Sequence, residues 1–94
     1  WMNYAELENK AVIIDFVADW CGPCKNYSPI FEQVTKNLEG WEIEEYNIES
    51  PKGTEMSITY GINSIPSTVI VVDGKEPRKL VGTLSAADLA KELV

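Results

Sequence analysis

Both cysteines of this 94-residue chain fall in one short stretch, Trp20-Cys21-Gly22-Pro23-Cys24, directly after a nearly continuous apolar run from Ala11 to Ala18. The run, broken only by Asp15, reads as a central strand buried on both faces. Two residues between thiols let them meet across one turn and close a small disulfide ring. The pattern downstream is helical, so Cys21 is expected at a helix N-terminus with Cys24 one turn inside. Unpaired backbone N–H groups and the helix dipole then favour a thiolate at Cys21. That chemistry is dithiol–disulfide exchange. A structural zinc needs about four ligands, and two cysteines without a histidine cannot build a thiolate–imidazole site in one protomer. A purely structural bridge would close too small a loop to stabilise much. A site shared between protomers and an inert bridge stay open as alternatives.

Cys24 to Leu38 carries apolar residues at Tyr27, Ile30, Phe31, Val34 and Leu38, a helical stripe with Pro29 inside it to kink the helix and Gly40 to stop it. Trp41 to Ile48 is β-rich despite Glu42, Glu44 and Glu45. Ser50 to Tyr60 is polar, opens on a Pro51–Gly53 turn signal and contains a short helix. Thr68 to Val72 is a β-branched strand, and Asp73-Gly74 marks a hairpin turn into Arg78 to Val81. Ser85 to Asp88 resembles a capping box for a last helix that buries Ala86, Leu89, Ala90 and Leu93. A weak signal from Asn3 to Asn9 predicts a short N-terminal helix. The order is α-β-α-β-α-β-β-α in a single domain spanning 1–94.

A net charge of −7 without a basic run argues against direct nucleic-acid binding. No apolar stretch approaches the ~20 residues of a membrane span. Glu6, Glu8 and Lys10 interrupt any signal-peptide pattern, and Met2 reads as the natural start behind an extraneous Trp1. The expected location is the cytoplasm, where a C-x-x-C is more often catalytic than structural. Charge and a glutamate-rich strand favour a monomer.

With motif and element order in hand, the chain resembles the thioredoxin family from about Val12 to its C-terminus. The matches are Asp15-Phe16, Ala18, Trp20 to Lys25, Pro29, Tyr60-Gly61-Ile62, Ile65-Pro66, Asp73-Gly74 and Val81-Gly82. The resemblance implies an α/β fold with a mixed central sheet flanked by helices. It implies Cys21 as attacking nucleophile, Cys24 as resolving thiol and Asp15 as a buried carboxylate exchanging a proton with Cys24. Burial should raise the pKa of that acid. The competing reading is an Asp that simply reaches solvent at a strand end. Pro66 matches the family's cis-proline, which packs against the disulfide. Trp20, Gly22, Pro23, Ile62, Ile65, Pro66 and Gly82 would form the surface that holds an extended client by strand addition. For Ile62, plain core packing is an equal alternative.

The implied function is a thiol–disulfide oxidoreductase acting as a general protein disulfide reductase. It needs no cofactor beyond the Cys21–Cys24 disulfide and no metal. Its partners would be disulfide-containing clients and a thioredoxin reductase, or a ferredoxin- or glutaredoxin-linked donor. Gly22-Pro23 favours a reductase, since strongly oxidising relatives generally carry a histidine between the cysteines. A scaffold subunit, and an oxidase or isomerase, are the other functions such a fold supports.

Three departures from the family pattern matter. Val17 replaces a common aromatic residue, so the packing behind the motif should be looser or differently filled. Glu45 stands where bacterial members often carry a lysine, and would raise the Asp15 pKa if it points inward. Only fourteen residues precede Asp15, so the family's first strand is predicted absent, leaving four strands with Trp41 to Ile48 as an exposed, glutamate-protected edge.

Overall fold

A computed structural model describes residues 11–93 of the chain. β1 (Ala11–Val17) occupies an inner position of a four-stranded sheet. It runs parallel to β2 (Trp41–Asn47) on one side and antiparallel to β3 (Ser67–Val72) on the other. β4 (Arg78–Val81) completes the order β2-β1-β3-β4 by pairing antiparallel with β3. This is the expected mixed sheet. Among the described residues β2 pairs with β1 alone, leaving an outer edge that carries the three glutamates. The N-terminal helix expected at Asn3–Asn9 and the expected absence of a first strand both concern residues 1–10, outside the described residues.

The period of two along β1 splits the core between the faces of the sheet. Ile13 packs with Tyr27 and Phe31 of α1 (Gly22–Thr35), Ile70 of β3 and Leu89 of α3 (Ala86–Glu92). Ile14 and Phe16 pack on the other face with Val69, Tyr46, Tyr60 and Met56, the last from α2 (Pro51–Thr59). β1 is thus covered on both faces, as its unbroken apolar run requires. Seven residues make too short a helix to stand alone, so α3 is held by its anchor, Leu89, which is completely buried.

Three expectations are corrected at element ends. α1 stops at Thr35 rather than Leu38, and the chain leaves it through a turn in which the Leu38 N–H donates to the Thr35 carbonyl at 3.0 Å. Pro51 opens α2 directly instead of forming a separate turn, because proline suits the first helical position, where its missing N–H costs nothing. Ala90 is exposed and Leu93 lies just past the last residue of α3, so of the four residues expected to be buried only Leu89 is fully so.

Gly53 sits in the first turn of α2, its N–H capped by Ser50 Oγ at 2.9 Å. A Cβ here would collide with the backbone carbonyl of Asn47 and come within 2.8 Å of Ser50 Oγ. Gly53→Ala is therefore expected to destabilise the fold by about 3 kcal/mol, the upper part of the overpacking range, because backbone cannot step aside. A urea midpoint unchanged from the parent protein would show that the chain makes room.

Candidate active site

A tight turn after β1 delivers the motif, with the Cys21 N–H donating to the Ala18 carbonyl at 3.1 Å. The turn throws Trp20 outward, 66 % exposed, and tucks Cys21 inward, 4 % exposed. Asn47 steadies it from β2, its Nδ2 donating to Asp19 Oδ1 at 3.3 Å. Cys21 is the N-cap of α1, and its Sγ accepts the Cys24 N–H at 3.1 Å. Pro23 in the first turn is pre-shaped for a helix start. Cys21 and Cys24 are joined as a disulfide with their α-carbons 5.2 Å apart. Both cysteines therefore sit where the spacing placed them.

Val17, Ile48 and Ile65 pack around the cluster of Ala18, Cys21 and Cys24. The place where many family members carry an aromatic residue is thus filled by aliphatic side chains from three separate segments. The Ile65–Pro66 peptide bond is cis. Pro66 is buried, and its carbonyl accepts the Gly82 N–H at 2.9 Å, tying the end of β4 to the segment entering β3.

Trp20, Ile62 and Ile65 line one depression of about 310 Å³, together with Ile48, Ser57, Asn63 and Ser64. Gly22 and Pro23 lie exposed at the start of α1, and Gly82 joins the group through its bond to Pro66. Ile62 packs against the Ile14–Phe16 core and also lines the depression. Ile48 was not foreseen. Only the register of β2 against β1 brings it beside the motif, its N–H donating to the Val17 carbonyl at 2.9 Å.

Asp15 does not reach solvent; it is completely buried. Its register partners are Glu45 on β2 and Thr68 on β3. α1 crosses above with two consecutive residues aimed at those partners. The Tyr27 hydroxyl bonds Thr68 Oγ1 at 2.8 Å, and Ser28 Oγ makes a long 3.5 Å bond to Glu45 Oε2. Cys24 lies three and four residues before them, on the same face of the helix. Neither carboxylate oxygen of Asp15 has a hydrogen-bond donor among the described residues. Burial, reinforced by the negative charge of Glu45, raises the Asp15 pKa from 3.8 to about 8. Burial likewise pushes the Tyr27 phenol up. A second depression of about 310 Å³, lined by Val17, Ala18, Asp19, Cys24, Lys25 and Ser28, opens the Cys24 side to solvent.

The thioredoxin family model matches residues 1–94. The chain belongs to the thioredoxin family. It is 39 % identical over 97 residues to a thioredoxin of Mycoplasmoides gallisepticum, with 98 % of this chain and 94 % of that one covered. It is 43 % identical over 77 residues to a thioredoxin of Borreliella burgdorferi, covering 81 % of this chain and 64 % of the relative. The solved structure of Fasciola hepatica thioredoxin superposes with a TM-score of 0.79 at 27 % identity, covering 95 % of this chain and 83 % of that one. Chloroplastic thioredoxin z superposes with a TM-score of 0.76 at 26 % identity, covering 93 % and 78 %.

Thioredoxins are protein thiol–disulfide oxidoreductases, and this member carries the cysteine pair that the activity requires. The family works through that disulfide without a further cofactor, on disulfide substrates and with a reductase as electron donor. Among the described residues no three Cys, Asp or Glu side chains are grouped to hold a metal ion. No described helix is long and apolar enough to cross a membrane.

Proposed function

We propose that this chain is a single-domain, monomeric cytoplasmic reductase of protein disulfides, with Cys21 as nucleophile and Cys24 as resolving thiol. The observation that carries the reading is Cys21 as the cap of α1, its sulfur facing the helix N-terminus and accepting the Cys24 N–H. In the reduced protein, N–H donors and the helix dipole stabilise a Cys21 thiolate. That thiolate attacks one sulfur of a client disulfide, forming a mixed disulfide and expelling the other client sulfur as a thiolate, which takes a proton from water. Cys24 then loses its proton and attacks Cys21 Sγ. The Cys21–client bond breaks, and the second client sulfur leaves and is protonated. The client gains two electrons and the Cys21–Cys24 pair supplies them, to be restored by a thioredoxin reductase or an equivalent donor.

Asp15, buried under the helix face that carries Cys24, serves as the proton acceptor for that thiol. Trp20, Gly22, Pro23, Ile62, Ile65, Pro66 and Gly82 form the client surface, where the chain before Pro66 pairs with an extended client backbone. The net charge of −7 and the glutamates of the β2 edge support the monomer.

The deciding measurement is the reduction potential of the Cys21–Cys24 pair, by equilibration with glutathione or dithiothreitol, with insulin reduction assayed in parallel. Gly22-Pro23 brings no cation between the cysteines to favour the thiolate further. The expected potential therefore lies below the cytosolic glutathione poise of about −220 to −260 mV. A value well above that poise would make the chain an oxidase or isomerase. Accessible thiols without insulin turnover would make it a scaffold.

A further inference from the structure

Glu45 is an unusual neighbour for a buried acid. It is the register partner of Asp15 on the adjacent parallel strand, so both side chains stand on the face covered by α1. Two carboxylates cannot satisfy each other's oxygens unless a proton lies between them. Among the described residues neither Asp15 oxygen has a hydrogen-bond donor, and Thr68, its partner on β3, is engaged with Tyr27. Glu45 differs from Asp15 in one decisive respect. It is exposed, and Ser28 holds it at the surface end of the same face. Among the described residues the polar or charged groups near the pair include Tyr27 and Ser28 of α1, Thr68 of β3 and Asn47 of β2, which bonds Asp19; Asp19, Cys24, Lys25 and Ser28 line the depression beside Cys24.

We propose that Asp15 and Glu45 form a proton-sharing dyad in which Glu45 is the exit to water for the proton that Asp15 takes from Cys24. The proposal rests on the role given to Asp15 above and adds the route. Before resolution the dyad holds one proton between its two carboxylates. As the Cys24 thiol gives its proton to Asp15, the dyad's own proton leaves through Glu45 to solvent. The dyad ends as it began, carrying one proton, and the Cys24 thiolate is free to attack Cys21 Sγ. When the disulfide is reduced again the sequence runs backwards, with Glu45 collecting a proton from water and Asp15 returning one to Cys24. Glu45 is a positioning residue in this scheme, since it acts through Asp15 and touches neither sulfur.

Two readouts test it. The first follows the side-chain carboxyl carbon of Asp15 by ¹³C NMR in the oxidised protein, from about pH 3 to about pH 10. In the parent protein this carbon should report more than one step, the mark of a coupled pair. In Glu45→Gln, Asp15 should titrate in one step, lower by about one pH unit. The second readout is the rate of client release from the Cys21 mixed disulfide, by stopped flow with a fluorescent disulfide peptide in excess. Glu45→Ala should slow release about tenfold at neutral pH, and added formate should restore most of the loss by standing in for the missing carboxyl. An Asp15 titration unmoved in Glu45→Gln would overturn the dyad. A lowered midpoint with undiminished release and no formate effect would reduce Glu45 to a fixed charge, which overturns the relay. Asp15→Asn is the separate control: unimpaired release in that variant would remove Asp15 itself from the reaction, whatever Glu45 does.

Discussion

Cys21→Ser is expected to bring insulin reduction down to the uncatalysed background, because a serine hydroxyl cannot form the mixed disulfide through which exchange proceeds. Cys24→Ser should behave differently. It retains the capped nucleophile at the helix terminus but has no second sulfur to release the client. After one pass the protein should be covalently loaded, visible as a mass increase equal to the client peptide and reversed by dithiothreitol. The pair of variants separates the two roles: equal accumulation of adduct on Cys21→Ser and Cys24→Ser would reverse or erase the assignment. Serine removes little volume at either site, and each cysteine is nearly buried in a small aliphatic cluster. Both variants should therefore keep the fold, and loss of turnover reports chemistry.

The second large effect concerns stability and its dependence on pH. Asp15 has a folded-state pKa of about 8 against an ordinary value of 3.8, with burial the leading cause. The folded chain thus holds a proton that the unfolded chain releases. The sign follows directly: Asp15's contribution is fully present below about pH 4 and is lost as pH rises towards about 8. From about pH 4 to pH 7 the loss amounts to about 4 kcal/mol, at 1.36 kcal/mol per unit of pKa difference. Asp15→Asn cannot titrate, so urea unfolding of the variant should lack this slope while keeping that of the other carboxylates. The difference between the two stability curves, taken pH by pH, isolates the buried acid. Parallel curves would mean that the Asp15 charge is compensated inside the fold.

The parts of the site that were legible in the sequence were those with a local cause. A C-x-x-C at the start of a helical stripe fixes where the two sulfurs lie relative to the helix end, and an acid inside an apolar strand announces its burial. The misplaced boundaries have local causes too. Proline serves equally as a turn former and as the first residue of a helix, so Pro51 could be read both ways. Leu38 continues the apolar stripe of α1 by spacing alone, although hydrogen bonding ends the helix at Thr35. What stayed hidden depends on register. Tyr27 and Thr68 are 41 residues apart in the chain and bond only because β3 lies beside β1. Ile48 reaches the motif for a similar reason, from the far end of β2. The opposition of Glu45 and Asp15 was legible only by comparison with the family pattern. The structure adds that neither Asp15 oxygen has a hydrogen-bond donor among the described residues.

Cys21 is 4 % exposed in its oxidised form, while its neighbour Trp20 stands out into solvent. On the proposed client surface, a nearly buried Cys21 beside a raised ring would admit narrow, protruding strands and turn away flat surfaces. A disulfide lying flush with a folded domain would stop at Trp20. One carried on a mobile loop, or exposed as its domain loosens, could thread past. On that reading, choice among clients would fall less to side-chain recognition than to the clients themselves, selected by how readily each lifts its own disulfide clear of its surface.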